Sequence, residues 1–118
     1  MSELELEGIE LLELLAQAGE RLRNAAAAGE MHGNRELREA ALSLIPVIES
    51  VRAGVASVLE VLRSGRALAA REEACSLERK LWMMRMSVES SVPPYFRRLM
   101  LGAIASAGSF ARRLCSEG

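Results

Sequence analysis

Four long stretches of the chain repeat apolar residues at helical spacing, and this periodicity constrains the fold more than any other feature. The stretches cover residues 2–28, 35–63, 66–90 and 94–115. Three short breaks rich in Gly, Pro, Ser and Asn separate them, at residues 29–34, 64–65 and 91–94. Apolar residues at i, i+3, i+4 and i+7 form one apolar stripe on a helix, which must be buried against a neighbour. The pattern therefore predicts four amphipathic helices.

Composition agrees with a helical core. Half of the residues are hydrophobic but only 3% are aromatic, so the core must be built from Leu, Ala, Val, Ile and Met. Leu, Ala and Met favour helix, and strand-favouring aromatic residues are scarce. Helices of similar length joined by short loops pack antiparallel to their neighbours. We therefore predict an all-α fold, an antiparallel up-down-up-down four-helix bundle, with residues 1–118 forming a single domain.

Residues typical of helix ends mark the borders of the predicted helices. Ser2 and Glu5 fit a capping box at the start of the first helix, and Asn34 fits the N-cap of the second. Gly29 is expected to end the first helix. Pro46 falls inside the second helix and removes one backbone hydrogen bond. Because the apolar pattern continues in phase beyond it, Pro46 is predicted to kink this helix without ending it.

Charge and hydropathy argue against nucleic-acid and membrane partners. The formal net charge is −1, whereas nucleic-acid binding needs a basic face. The most apolar run, from Leu99 to Ala111, is too short to span a membrane. Met1 leads directly into acidic residues without the pattern of a signal peptide. We expect a soluble, cytoplasmic monomer.

The cysteines and the histidine give no metal or cofactor signature. Cys75 and Cys115 are far apart and fit neither a zinc pattern nor a CxxC motif, so we expect buried, reduced thiols. His32 stands alone in a predicted loop, where we expect it to be exposed to solvent. A single His without a second ligand at metal spacing is poor support for zinc or haem. No cofactor and no metal are predicted.

Several charged residues fall near the apolar stripes. Helical-wheel angles place Arg52 within roughly 40° of the inward direction that Ile48 and Val55 define on the second helix. On the third helix, Glu78 and Arg85 lie within roughly 40° of the direction of Ala74 and Leu81. Matching heights across the third turn sets Glu78 level with Ser106 and Ala107. Charges buried without partners cost several kcal/mol, so such groups must pair, stay hydrated or meet a ligand. They predict an interior pocket, with a salt bridge at the helix flanks or an oligomer interface as the alternatives.

The predicted pocket combines apolar walls, polar groups and small residues. The walls are Leu15, Ile48, Trp82, Met100 and Phe110, the polar groups are Arg52, Glu78, Arg85 and Ser106, and room is left by Gly19, Gly102 and Ala103. A concave apolar site with a few convergent polar groups is typical of small-molecule binding. The leading hypothesis is a module that binds a drug-like, partly aromatic small molecule inside the bundle.

Two other functions remain open from the sequence. Glu78 could act as the general base of a simple enzyme, with Arg52 steadying negative charge. No GxGxxG, GxxxxGK[ST], HExxH or GxSxG motif accompanies them, so an enzyme is the less favoured interpretation. Alternatively, the small-residue face of the fourth helix could pack on a partner or a second copy, as in a structural or interaction protein.

The whole chain resembles computationally designed helical bundles. The resemblance rests on near-equal helix lengths, a capped start (Ser2-Glu3-Leu4-Glu5), glycines at helix ends (Gly29, Gly33, Gly65) and a short C-terminal segment (Ser116-Glu117-Gly118). It implies a bundle built around a drug-like molecule or a simple catalytic carboxylate. Pro46, six methionines, two cysteines and a single lysine depart from idealised design and favour a sequence chosen around a ligand, or a natural protein.

Overall fold

The computed structural model describes residues 2–117, and within them the chain forms four α-helices and no strand. The helices are α1 (Glu3–Met31), α2 (Arg35–Arg63), α3 (Ala67–Ser91) and α4 (Pro94–Ser116). The predicted all-α class and the four helices are therefore confirmed. The predicted breaks also lie where expected, because only short turns connect the helices.

The predicted helix starts are confirmed at both side-chain caps. The Ser2 hydroxyl accepts the backbone N–H of Glu5 at 3.1 Å, and the Asn34 side-chain oxygen accepts the N–H of Leu37 at 3.1 Å. Each cap satisfies one of the four N–H groups that the first turn of a helix leaves without a partner. His32 follows α1 and is exposed, as predicted.

Gly29 does not end α1, which corrects the sequence prediction. The helix continues to Met31, and Gly33, with a φ of +66°, supplies the left-handed turn. A Cβ at Gly29 would lie 2.8 Å from the backbone N of Arg38 and 2.9 Å from the carbonyl O of Asn34. Gly29 is thus required because the first turn of α2 crosses the last turn of α1 at backbone distance.

Pro46 lies inside α2, which runs uninterrupted from Arg35 to Arg63 as predicted. α2, and not the 99–111 run, is the most apolar helix over a long window, with a mean hydropathy of 1.6. By length and composition alone α2 could cross a membrane, but the core helix of a water-soluble protein passes the same test. Its buried stripe contains Ala41, Leu44, Ile48, Val51, Val55, Val58, Leu59 and Val61.

The four helices pack around one apolar cluster. α1 packs most extensively on α2, and α3 on α4. α2 also contacts both α3 and α4, whereas α1 contacts α4 but not α3 within the described part of the chain. Of the two pairs of helices that face each other across the diagonals of the bundle, α2 and α4 therefore lie closer together than α1 and α3. The most fully buried large side chains are Leu15, Leu22, Ile48, Val51, Val55, Val58, Leu81, Met100 and Phe110.

Candidate functional site

The centre of the fold is filled with apolar side chains where the sequence predicted a pocket. Five of the predicted site residues are at most 3% exposed and belong to one core cluster: Leu15, Ile48, Met100, Ala103 and Phe110. No polar or charged side chain is buried among residues 2–117. The expected convergence of charges inside the bundle is therefore wrong, and these five residues form the core.

Arg52 is exposed because the buried face of α2 is wider than Ile48 and Val55 alone suggested. Val51 and Val58 are also almost fully buried, and both lie on the side of the stripe away from Arg52. Their burial turns the inward direction by about 30°, which leaves Arg52 roughly 70° from it. A long side chain at that angle reaches water.

Gly19 and Ser106 lie away from the charged groups with which they were grouped. A Cβ at Gly19 would make ordinary van der Waals contacts with Arg23 Nη1 at 3.4 Å and Ile48 Cγ2 at 3.8 Å, so Gly19 lies in the α1–α2 contact and opens no cavity. Ser106 is half-buried in a groove between α1 and α4, which has a volume of about 630 Å³. Arg21, Tyr95 and Arg98 also line this second groove.

Three of the predicted site residues, Glu78, Trp82 and Arg85, do come together, on the outer surface between α3 and α4. They line a groove open to solvent with a volume of about 720 Å³, called here the α3–α4 groove. Its other lining residues are Cys75, Arg79, Leu81, Met83, Ile104, Ala105, Gly108, Ser109, Arg112 and Cys115. On α3 the lining runs from Cys75 to Arg85, a length of about 15 Å at 1.5 Å per residue.

The middle of the α3–α4 groove is apolar and partly empty. Leu81 and Ile104 are 2% exposed and form its base, while Trp82 is 62% exposed and forms one wall. A Cβ at Gly108 would meet nothing within 4 Å, so this position opens the opposite wall. An exposed indole beside unfilled apolar surface is available to a ligand.

One ion pair bridges the two walls. Arg112 Nε donates to Glu78 Oε1 at 3.2 Å, with the Glu78 side chain 31% exposed. The sequence placed Glu78 level with Ser106 and Ala107, so the observed partner lies more than one turn further along α4. The difference arises because Val92 and Pro93 are extended, with ψ of 133° and 146°, and lengthen the α3–α4 connection.

The other charges of the groove are mostly basic. Arg85 Nε donates to Glu89 Oε1 at 3.2 Å, one turn along the same helix. Within residues 2–117, Arg79 has no carboxylate within 4.0 Å. With the Glu89 carboxylate that pairs with Arg85 included, three arginines and two glutamates leave the groove with a net charge of +1. The remaining positive charge is that of Arg79, which has no carboxylate partner among residues 2–117.

A disulfide closes one end of the groove. Cys75 and Cys115 are bonded, with a Cα–Cα distance of 4.8 Å, and neither side chain is fully buried. The expectation of two buried, reduced thiols is therefore wrong. Their 40-residue separation hid the pairing, because the distance between two cysteines in a helical fold depends on helix heights that the sequence predicted incorrectly.

Sequence reasoning also missed Arg112 as a site residue and did not place Gly108 in a surface groove. Their signal was present, since Ile104, Gly108, Arg112 and Cys115 follow one another at helical spacing on a single face of α4. That face was not considered because only the most apolar stripe of α4 was assigned to the site. Among residues 2–117 no three His, Cys, Asp or Glu side chains come together as a metal site.

Comparison of the chain with protein-family models, with curated proteins and with solved structures found no significant match in any of the three.

Proposed function

We propose that the protein is a binding module whose α3–α4 groove takes a partly aromatic, anionic small molecule. The ligand class is the one predicted from the sequence, with a negative charge added and the site moved from the interior to the surface. The observation that carries the proposal is the exposed Trp82 beside an unfilled apolar groove whose charged rim is mainly arginine.

The aromatic part of the ligand is inferred from the groove's middle. Trp82 presents most of its indole to solvent, and Leu81 and Ile104 form an apolar base beneath it. A flat ring can stack on the indole while covering the base, which removes apolar surface from water on both faces. The groove's length of about 15 Å along α3 suits a molecule of two or three fused or linked rings.

The anionic part is inferred from the rim. Arg79 has no carboxylate partner within the described residues, and the only carboxylate partner of Arg112 there is Glu78. A guanidinium binds carboxylate or sulfonate oxygens through two parallel N–H donors, and such charge-assisted hydrogen bonds are stronger than neutral ones. A ligand carrying one such group would meet Arg79 or Arg112 at the edge of the apolar surface.

The test uses 1-anilinonaphthalene-8-sulfonate, an aromatic sulfonate whose fluorescence rises on leaving water. Trp82 is the single tryptophan, so quenching of its emission with sensitised probe emission reports binding to the folded chain. Energy transfer acts over tens of ångströms, which is comparable with the 26 Å width of the molecule, so the glycine variants below are needed to locate the probe. We expect saturable quenching of Trp82 emission with sensitised probe emission. Probe fluorescence without any change in Trp82 emission would contradict the proposal.

A matched pair of glycine variants locates the probe. At both Gly108 and Gly102 an added Cβ meets nothing within 4 Å, but only Gly108 lines the α3–α4 groove. We expect Gly108→Leu to fill the groove and weaken probe binding at least about tenfold, the effect of losing one well-placed apolar contact area. Gly102→Leu should leave it unchanged. Equal effects of the two variants would count against the α3–α4 groove.

The up-down-up-down helix arrangement belongs to this proposal. Several contacts support it, because residue numbers rise on one helix as they fall on the neighbour. Arg23 bonds Glu49 at 3.1 Å, while Gly8, earlier in α1, lies against Leu59, later in α2. On the other side Cys75 bonds Cys115, while Glu78 bonds Arg112.

A second candidate function is docking of a partner's helix. Trp82, Met83 and Met86 are three large apolar side chains that are all more than half exposed on one turn of α3. An amphipathic helix could lay its apolar face on this surface. Met86 lies outside the α3–α4 groove lining, so Met86→Glu should weaken such docking without changing sulfonate-probe binding. Sedimentation of the wild-type and variant chains at high concentration tests a second copy as that partner.

The enzyme alternative has no observation in its favour. Oε1 of Glu78 accepts from Arg112, and Arg52 is exposed on α2 and outside the groove lining. The two residues that were to act together are therefore not combined at one site.

The disulfide supports an oxidising environment in place of the predicted cytoplasmic one, because cytosolic thiols are kept reduced. The designed origin and the single domain stay predictions.

A further inference from the structure

We propose that the Cys75–Cys115 disulfide is a redox latch that holds the last turn of α4 in place and so sets the ligand affinity of the α3–α4 groove. The inference rests on the proposed function for its ligand. It goes further by assigning a regulatory role to a bond that forms the end wall of that groove.

The bond lies at the C-terminal end of α4. Leu114 is the last residue of α4 buried in the core, and beyond it Cys115 and Ser116 form the end of the helix. Toward α1 this turn is held by an ion pair between Arg113 and Glu7. Toward α3 it is held by the disulfide and by Arg71, whose Nε donates to the Cys115 carbonyl at 3.0 Å. The final turn of a helix frays unless such contacts satisfy its carbonyls.

Arg112 connects the latch to the ligand. It lies three residues before Cys115 on the same face of α4 and bonds Glu78 across the groove. The bond holds the Cα atoms of Cys75 and Cys115 4.8 Å apart and so fixes the spacing of α3 and α4 at this end of the groove. If the bond breaks, α4 can move relative to α3, and the Arg112 guanidinium is no longer held at one distance from Glu78 and from the anionic end of the ligand. A preorganised donor contributes more to affinity than a mobile one, because ordering it on binding costs conformational entropy.

The bond is accessible to exchange. Both cysteines are only half-buried and line a groove open to solvent. A dithiol reductant attacks one of the two sulfurs as a thiolate, releasing the other cysteine as a thiolate that takes up a proton. The second thiol of the reductant, as a thiolate, then attacks the reductant's own sulfur in the mixed disulfide and releases the second cysteine, which also takes up a proton. Cys75 and Cys115 have then gained two electrons and two protons, and the reductant has lost them and become a cyclic disulfide.

Linkage requires the effect to be reciprocal. If reduction weakens ligand binding, then the ligand must favour the oxidised form by the same factor. A molecule lying in the groove also covers the sulfur atoms from the reductant. The latch therefore predicts both weaker binding after reduction and slower, less favourable reduction in the presence of ligand.

The experiment measures the Kd of 1-anilinonaphthalene-8-sulfonate by energy transfer from Trp82, before and after treatment with dithiothreitol. We expect reduction to raise the Kd about tenfold, the factor for losing one charge-assisted hydrogen bond. The double variant Cys75→Ser, Cys115→Ser should bind as weakly as the reduced protein and should not respond to dithiothreitol. An unchanged Kd after complete reduction overturns the latch.

A second measurement separates this inference from the proposed function. Backbone NMR order parameters of residues 112–116 should fall on reduction, while those of residues 15–22 in the core part of α1 should stay unchanged, because order parameters report motion within the folded state and not the loss of global stability. A uniform fall across the chain, or none, overturns the latch whether or not the probe binds. If the probe fails to bind the oxidised protein, the proposed function falls, and the order parameters alone still decide whether the bond secures the end of α4.

Discussion

The α1–α2 pair and the α3–α4 pair use glycine in opposite ways. Where α1 meets α2, Gly29 lets two backbones approach so closely that a single added carbon would lie 2.8 Å from the Arg38 nitrogen. Where α3 meets α4, Gly108 has nothing within 4 Å of the same added carbon. The first glycine is required by packing, whereas the second lies beside an open groove.

The two pairs of helices are stabilised in different ways. α1 and α2 pack most extensively and close their turn through backbone contact at Gly29. α3 and α4 leave a groove of about 720 Å³ along their shared surface and add a covalent bond at its end. A crosslink compensates for packing that the groove gives up, so stability and an accessible surface are both retained in this pair.

Removing the disulfide should have the largest effect on stability. The bond joins residues 40 apart, and closing a loop of that length in the unfolded chain corresponds to about 4 kcal/mol. We expect Cys75→Ala with Cys115→Ala to lower the unfolding free energy by up to that amount, measured by urea denaturation followed by circular dichroism. A loss below about 1 kcal/mol would show that packing alone holds α3 to α4.

Gly29→Ala should have the next largest effect. Its Cβ would clash with backbone atoms of Asn34 and Arg38, which cannot move aside as a side chain can. Overpacking of this kind costs about 3 kcal/mol, and the better helix propensity of Ala returns about 1 kcal/mol. We expect a net loss of about 2 kcal/mol in the same urea experiment. A neutral result would mean that the α1–α2 turn can shift without cost.

Gly108→Ala is the matched control and should have the smallest effect, with the opposite sign. The substitution is chemically identical to that at Gly29, but its Cβ enters open space. Only helix propensity changes, so we expect a gain of about 1 kcal/mol in unfolding free energy. Destabilisation by Gly108→Ala would indicate that the groove closes in solution. Gly108 would then be packed as Gly29 is, and the groove would not be open to a ligand.

The helices and most of the core were predictable from the sequence. The periodic apolar residues and the Ser2 and Asn34 caps depend only on residues that are close in sequence, so they can be recognised without knowing how the helices pack. The role of Gly29 was not predictable, because a glycine near a helix end has the same appearance whether it stops the helix or permits a crossing. Only the position of the neighbouring backbone distinguishes the two.

The candidate site was predicted only in part. Glu78, Trp82 and Arg85 do share a groove, but Arg52 and the five core residues do not belong to it. The wheel angles were measured from only two residues of each helix, although Val51 on α2 and Leu77 on α3 also belong to the apolar stripes and are buried. The heights of residues along α4 depended on the extended residues Val92 and Pro93. The apolar periodicity does not show how much length these two residues add to the connection.

The position of Trp82 also determines what spectroscopy can follow. As the single tryptophan, more than half exposed in the native state, it already experiences a watery environment before the chain unfolds. Its emission maximum should therefore shift little when the helices melt, although the apolar core becomes hydrated at the same moment. Intrinsic fluorescence of this protein reports events on one outer face of α3, and loss of the helical fold is followed through the peptide backbone.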